Sequence, residues 1–181
     1  MMNEKDKSVS GNKIDVSKIY NGENKEIAFD FELAPENLDK MDFSFEKPPA
    51  VRGRAYEKAR GKGKTDSYVG LEFEITGRYL THCARCCADI EKDLLISKEY
   101  DLVKKTESEN EDIIEVPENT LDIEELAYTV FYLELPFRVL CKEDCKGLCA
   151  TCGKNLNEGP CTCKKDKGTN SLAELKKLLD N

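Results

Sequence analysis

Residues 140–165 read LCKEDCKGLCATCGKNLNEGPCTCKK and carry six of the chain's nine cysteines. Six thiols in so polar a segment do not read as core residues, which leaves disulfides, reactive thiols or metal ligands. Cys149-Ala-Thr-Cys152-Gly153 is a knuckle. Two cysteines separated by two residues reach one ion, and the turn between them exposes amides that stabilise thiolates. Gly153 follows the second cysteine, where a tight turn often needs a positive φ. Cys161-Thr-Cys163 begins nine residues beyond Cys152, and a hairpin through Asn155, Asn157 and Gly159 brings the two pairs together. Four soft thiolates at ~2.3 Å suit tetrahedral zinc.

Working outward, Cys83-Ala-Arg-Cys86 and the pair Cys141 and Cys145 make a second quartet, which joins the β region to the tail and leaves Cys87 over. Two structural zinc ions are expected. Spacing alone leaves another partition open, with Cys145 grouped with Cys149 and Cys152. The odd count of nine fits a closed disulfide set poorly. The opening residues MMNEKDKSVSGN lack an apolar run, so a cytoplasmic location with reduced thiols is expected. No run of 18 apolar residues occurs, so no membrane span is expected.

Neither common ferredoxin spacing is present, which disfavours an iron–sulfur cluster. A thiol-based redox enzyme or sensor using Cys83, Cys86 and Cys87 is the alternative function, although a strand context differs from the βαβ setting of thioredoxin-like pairs. His82, the single histidine, reads as a surface or packed residue, with a ligand or hydrogen-bonding role as the sharper alternative. The cysteines suffice to close both sites, and no HExxH, P-loop, nucleophile elbow or dinucleotide fingerprint occurs. Neither an enzyme nor a small-molecule substrate is expected.

Apolar residues make up 39% of the chain and charged ones 35%, without Trp, so the core is modest and a metal staple is in keeping. Ile27, Phe29, Phe31 and Leu33 alternate as a half-buried strand. VRGRAY reads as a short strand. Val69, Leu71, Phe73 and Ile75 share one face of the next. Ile90, Leu94, Ile96, Tyr100 and Leu102 make its return partner, with CARC at the hairpin tip. IIEV reads as a last strand. Ile123, Leu126, Ala127, Val130 and Phe131 follow helical spacing, capped by Asp122 with Glu125 and ended by Pro136. Leu172, Leu175, Leu178 and Leu179 form a second helical stripe.

The expected fold is α+β: a mainly antiparallel β domain over 13–137 ending in a short helix, behind a disordered tail over 1–12. A zinc-ribbon-like, cysteine-rich segment over 138–165 and a terminal helix over 166–181 follow.

The formal charge is −8, unevenly spread: residues 103–137 carry −8 and residues 138–181 carry +3. A uniform polyanion-binding surface is excluded, whereas a local basic face is not. VRGRAYEKARGKGK, residues 51–64, offers Arg52, Arg54, Lys58, Arg60, Lys62 and Lys64 as phosphate contacts. Tyr56 is a ring for a base, and glycines at 53, 61 and 63 allow close backbone approach. A solvated hairpin loop is the plain alternative.

CARC after a strand, the helix ending LELP, then CKGLCATCGKNLN and a final leucine stripe resemble the YceD family over roughly residues 13–181. The resemblance implies a non-enzymatic ribosome-biogenesis factor that supports large-subunit rRNA synthesis, processing or stability. Its partner would be rRNA or a ribosomal protein of the large subunit. The family's cysteines map onto Cys83, Cys86, Cys141, Cys145, Cys149, Cys152, Cys161 and Cys163. Cys87 stands where the family often has an apolar residue.

Overall fold

Side-chain alternation dominates the first two-thirds of the sequence. The structure, a computed structural model, describes residues 12–35, 42–58, 68–105 and 110–163. In chain order the elements are β1 (Lys13–Asp15), the single turn α1 (Ser17–Tyr20), β2 (Glu26–Glu32), β3 (Ser44–Phe45) and β4 (Ala50–Lys58). Then come β5 (Tyr68–His82), β6 (Asp89–Val103), β7 (Ile113–Glu115), β8 (Thr120–Asp122) and α2 (Ile123–Glu134).

Strands β2, β4, β5, β6 and β7 lie side by side in that order, and β3 also pairs with β5. The pairings are antiparallel except β6–β7, which is parallel with Leu102 opposite Ile114. β1 and β8 form a separate antiparallel ribbon with Ile14 opposite Leu121. The expected α+β class with a largely antiparallel sheet is therefore present. The short elements β1, α1, β3 and β8 are absent from the sequence reading, because two to four residues are too few to display a period. IIEV is not the last strand, since β8 follows it.

One sheet face packs the core. Val51, Ala55, Val69, Leu71, Phe73, Ile75, Leu94, Ile96 and Leu102 are buried there. Helix α2 adds Ile123, Ala127, Val130 and Phe131, and the Phe131 ring lies 5.7 Å from that of Phe45. Full burial of a side chain such as Phe131 contributes about 1.5–3 kcal/mol. The Asp122 carboxylate accepts the Glu125 amide at 3.1 Å and caps the helix. The helix stops at Leu135, which is extended before Pro136 because proline disfavours a helical predecessor.

Gly53 corrects one expectation. It lies on the core face of β4, where an added Cβ would stand 2.5 Å from Phe73 Cβ and 2.7 Å from Phe29 Cζ. The glycine makes room for two rings, not for a ligand's approach.

The opposite sheet face is open and acidic. Strand β6 alone presents Asp89, Glu91, Asp93, Glu99 and Asp101. Glu26, Asp30 and Glu32 on β2, Glu72 and Glu74 on β5 and Glu115 on β7 bring the described strand carboxylates of this face to eleven, against Arg52, Arg54, Lys58 and Arg78. Among the described residues no helix is long and apolar enough to cross a membrane. The leucine-stripe segment 166–181 and residues 1–11 lie outside the described residues.

Candidate metal centres

The β5–β6 hairpin turns at Cys83–Ala88. The Cys83 amide donates to the Ala88 carbonyl at 2.8 Å, and the Cys87 amide to the Cys83 carbonyl at 2.9 Å. This turn folds both knuckle thiols inward, to 1% exposure for Cys83 and 6% for Cys86. After α2 the chain returns to the same tip, where the Ala84 amide donates to the Val139 carbonyl at 2.9 Å. Cys141 and Cys145 then arrive beside the knuckle. Cys83 Sγ lies 3.7 Å from Cys145 Sγ, and Cys86 Sγ lies 3.6 Å from Cys141 Sγ.

A second group forms locally. The Gly153 amide donates to the Cys149 carbonyl at 2.8 Å, the Cys149 amide to the Lys154 carbonyl at 2.8 Å, and Leu148 bridges Asn155. Cys161 Sγ thereby sits 3.4 Å from Cys149 Sγ. The structure thus brings together Cys83, Cys86, Cys141 and Cys145 in one group and Cys149, Cys152, Cys161 and Cys163 in the other, all sulfurs of a group within 4.8 Å of one another. The partition placing Cys145 with Cys149 and Cys152 is not the one formed.

A disulfide needs its sulfurs at about 2.05 Å. A tetrahedron with metal–sulfur bonds of ~2.3 Å has edges of about 3.8 Å. The separations of 3.4–3.7 Å belong to the second geometry. Both donor sets therefore fit a soft divalent ion.

Electrostatics within each group agree. The Cys141 amide, followed by those of Arg85 and Cys86, holds the Cys83 thiol down to about 6. The Cys152 and Thr151 amides do the same for Cys149, to about 6. Burial, followed by the neighbouring thiols, pushes Cys141 up to about 12, and the Cys152 thiol, followed by burial, pushes Cys163 up to about 12. Thiolates this close repel, so only a cation among them lets the whole group ionise.

Two residues outside the cysteine pattern organise the site. Arg85 donates from Nη1 to the Cys145 carbonyl at 3.0 Å, and its own carbonyl accepts the Leu148 amide at 3.1 Å. The one hint in the sequence is a large cation inside an otherwise small knuckle. Asn157 donates from Nδ2 to Cys145 Sγ at 3.3 Å, a contact that no spacing announces.

A family model described as large ribosomal RNA subunit accumulation protein YceD matches residues 71–179. The chain belongs to the YceD family. YlbN of Bacillus subtilis is 30% identical over 156 residues, which cover 83% of this chain and 87% of that protein. A Mycobacterium leprae protein is 31% identical over 88 residues, 45% of this chain and 40% of its own length. An Arabidopsis thaliana protein named large ribosomal RNA subunit accumulation protein YCED homolog 1, chloroplastic, is 36% identical over 62 residues, 33% of this chain and 19% of its own. The chain thus spans less than half the length of the mycobacterial and plant relatives. No solved structure matches the chain.

The remaining candidate residues of this YceD chain stand apart from the sulfurs. His82, exposed on the outer face, pairs through Nδ1 with Asp42 at 2.8 Å and through Nε2 with Asp89 at 3.2 Å, so it is a surface residue and no member of a quartet. Cys87 is exposed and in neither quartet. Arg52 pairs with Asp30 at 3.0 Å, Arg54 with Glu72 at 2.7 Å and Glu26 at 3.1 Å, and Lys58 with Glu99 and Asp101 at 2.9 Å each. Tyr56 lies over Gly70, with the Arg54 guanidinium 5.2 Å from its ring centroid. Arg60, Lys62 and Lys64 lie outside the described residues.

Proposed function

We propose that this protein is a non-enzymatic, cytoplasmic factor in ribosome biogenesis that supports accumulation of large-subunit rRNA. It is held together by two structural zinc ions, and it acts on a basic ribosomal protein of the large subunit. Membership of a family described by large-subunit rRNA accumulation carries this reading. Cys83, Cys86, Cys141 and Cys145 would hold one ion, and Cys149, Cys152, Cys161 and Cys163 the other. Bound zinc would supply charge that stabilises every thiolate and would fix the zinc-ribbon-like segment 138–165 to the tip of the β5–β6 hairpin.

The choice of a protein partner over RNA rests on charge. An open sheet face with eleven described strand carboxylates and four cations repels phosphates and attracts lysine- and arginine-rich chains. Arg52, Arg54 and Lys58, the described part of the expected phosphate-binding stretch, already hold carboxylates.

Depletion in cells is expected to lower large-subunit rRNA relative to small-subunit rRNA; an unchanged ratio sinks the functional reading. For the partner, filter binding to large-subunit rRNA across a salt series is expected to show weak binding. Purified basic large-subunit proteins are expected to bind in a salt-sensitive way. Tight rRNA binding with a steep salt slope reverses the assignment.

A further inference from the structure

Cys145 belongs to the first quartet, yet its thiol is met by a residue from the loop of the second. Asn157 lies between Cys152 and Cys161, half-buried, and its Nδ2 donates to Cys145 Sγ at 3.3 Å. The orientation of the amide is determined on its other side. The Lys146 N–H, which can only donate, reaches Asn157 Oδ1 at 2.9 Å, and this turns Nδ2 toward the sulfur. Asn155 Oδ1 accepts from both Asn157 Nδ2, at 2.8 Å, and the Asn157 backbone amide, at 3.0 Å. The backbone reinforces the arrangement: Leu148 bridges Asn155, and the Leu156 amide donates to the Gly147 carbonyl at 2.9 Å. Residues 145–149 thus run from a member of one quartet to a member of the other, paired along their length with residues 154–157. A side-chain N–H aimed at a ligand sulfur fixes where that sulfur sits, and such outer partners of metal ligands raise metal affinity.

We propose that Asn157 couples the two quartets. The loop closed by the second ion positions an amide that holds the Cys145 sulfur in place for the first, so filling either site tightens the other. The proposal rests on the reading that both quartets bind zinc.

The test is titration of the full-length metal-free chain with Co2+, read by thiolate charge-transfer absorption, and with Zn2+ against a chelating competitor. The Cys83→Ser/Cys86→Ser chain isolates the second site, and the Cys149→Ser/Cys152→Ser chain isolates the first. Asn157→Ala is expected to weaken the first site about 10-fold or more while the second site is filled. Asn157→Asp keeps the acceptor for the Lys146 amide but puts a carboxylate against the sulfur, so it is expected to weaken the site at least as much. In the Cys149→Ser/Cys152→Ser background the first site is already weakened, and changing Asn157 adds little. Unchanged first-site midpoints in both Asn157 variants overturn the coupling. Two ions that bind independently in the unaltered chain overturn it as well, with the zinc reading intact. Absence of any cobalt–thiolate band in every chain overturns both.

Discussion

The knuckles Cys83–Cys87 and Cys149–Gly153 are one turn built in two settings. Each closes with an amide donated four residues back, at 2.9 Å from Cys87 and 2.8 Å from Gly153. Each lowers its leading cysteine to about 6, mainly through backbone amides. What differs is reach and burial. The first quartet joins residues 62 apart and buries Cys83, Cys86 and Cys145, whereas the second joins residues 12 apart and buries none of its members. With an ion bound in each, similar local chemistry would do two jobs: one group would tie the tail to the sheet, and the other would shape the tail itself.

The largest expected effect breaks that contrast open. By the chain-entropy relation for a cross-link, an ion closing 62 residues would stabilise by about 4 kcal/mol and one closing 12 by about 3. Losing the first closure also uncovers the hairpin tip, whereas losing the second disturbs the ribbon and only weakens the first site. Cys86→Ser in the zinc-loaded protein is expected to lower the thermal midpoint of the sheet by about 8–16 °C. Cys152→Ser is expected to lower that midpoint by only about 3–6 °C, through the roughly tenfold weakening of the first site, while abolishing one equivalent of zinc. Calorimetry with elemental analysis checks both, and equal shifts would dissolve the distinction.

A smaller effect is kinetic. Accessible thiolates exchange and react first, so limiting chelator should free Cys149, Cys152, Cys161 and Cys163 before the first quartet. Alkylation followed by peptide mass mapping is expected to find only Cys87 labelled before chelation, and the second quartet labelled before Cys83, Cys86 and Cys145 afterwards. The reverse order would mean that burial of Cys83 and Cys86 does not govern metal retention.

The sequence discloses these two regions unequally. Alternation at Val69–Ile75 and Ile90–Leu102 is strong enough to place both long strands and their tip, and Asp122 with Pro136 bounds α2, because caps and proline act locally. The local grouping of Cys149 through Cys163 is legible from spacing. Which distant pair meets Cys83 and Cys86 is legible only by arithmetic, since nothing in residues 141–145 records the path of the chain back to the hairpin. The basic stretch misleads more. Arg52 and Arg54 look free in one dimension, but antiparallel pairing sets them beside Asp30 and Glu72. Gly53 looks like a ligand cradle for the same reason, and the rings above it come from β2 and β5.

The smallest expected effect tests whether the two turns are truly equivalent. Both demand a left-handed residue after the second cysteine: Gly153 has φ +70°, and Cys87, the leftover cysteine of the sequence, has φ +54°. A side chain in that conformation costs about 1–2 kcal/mol. Glycine removes this strain but gives the unfolded chain more freedom, which offsets about 0.5–1 kcal/mol. Cys87→Gly is therefore expected to stabilise the protein by about 0.5–1 kcal/mol, raising the thermal midpoint by ~1–4 °C and removing the one readily labelled thiol. Gly153→Ala, whose added Cβ meets nothing within 4 Å, should destabilise the ribbon by a similar amount through φ alone. If Cys87→Gly destabilises instead, the Cys87 side chain is held by something more than the turn, and the first knuckle is not a copy of the second.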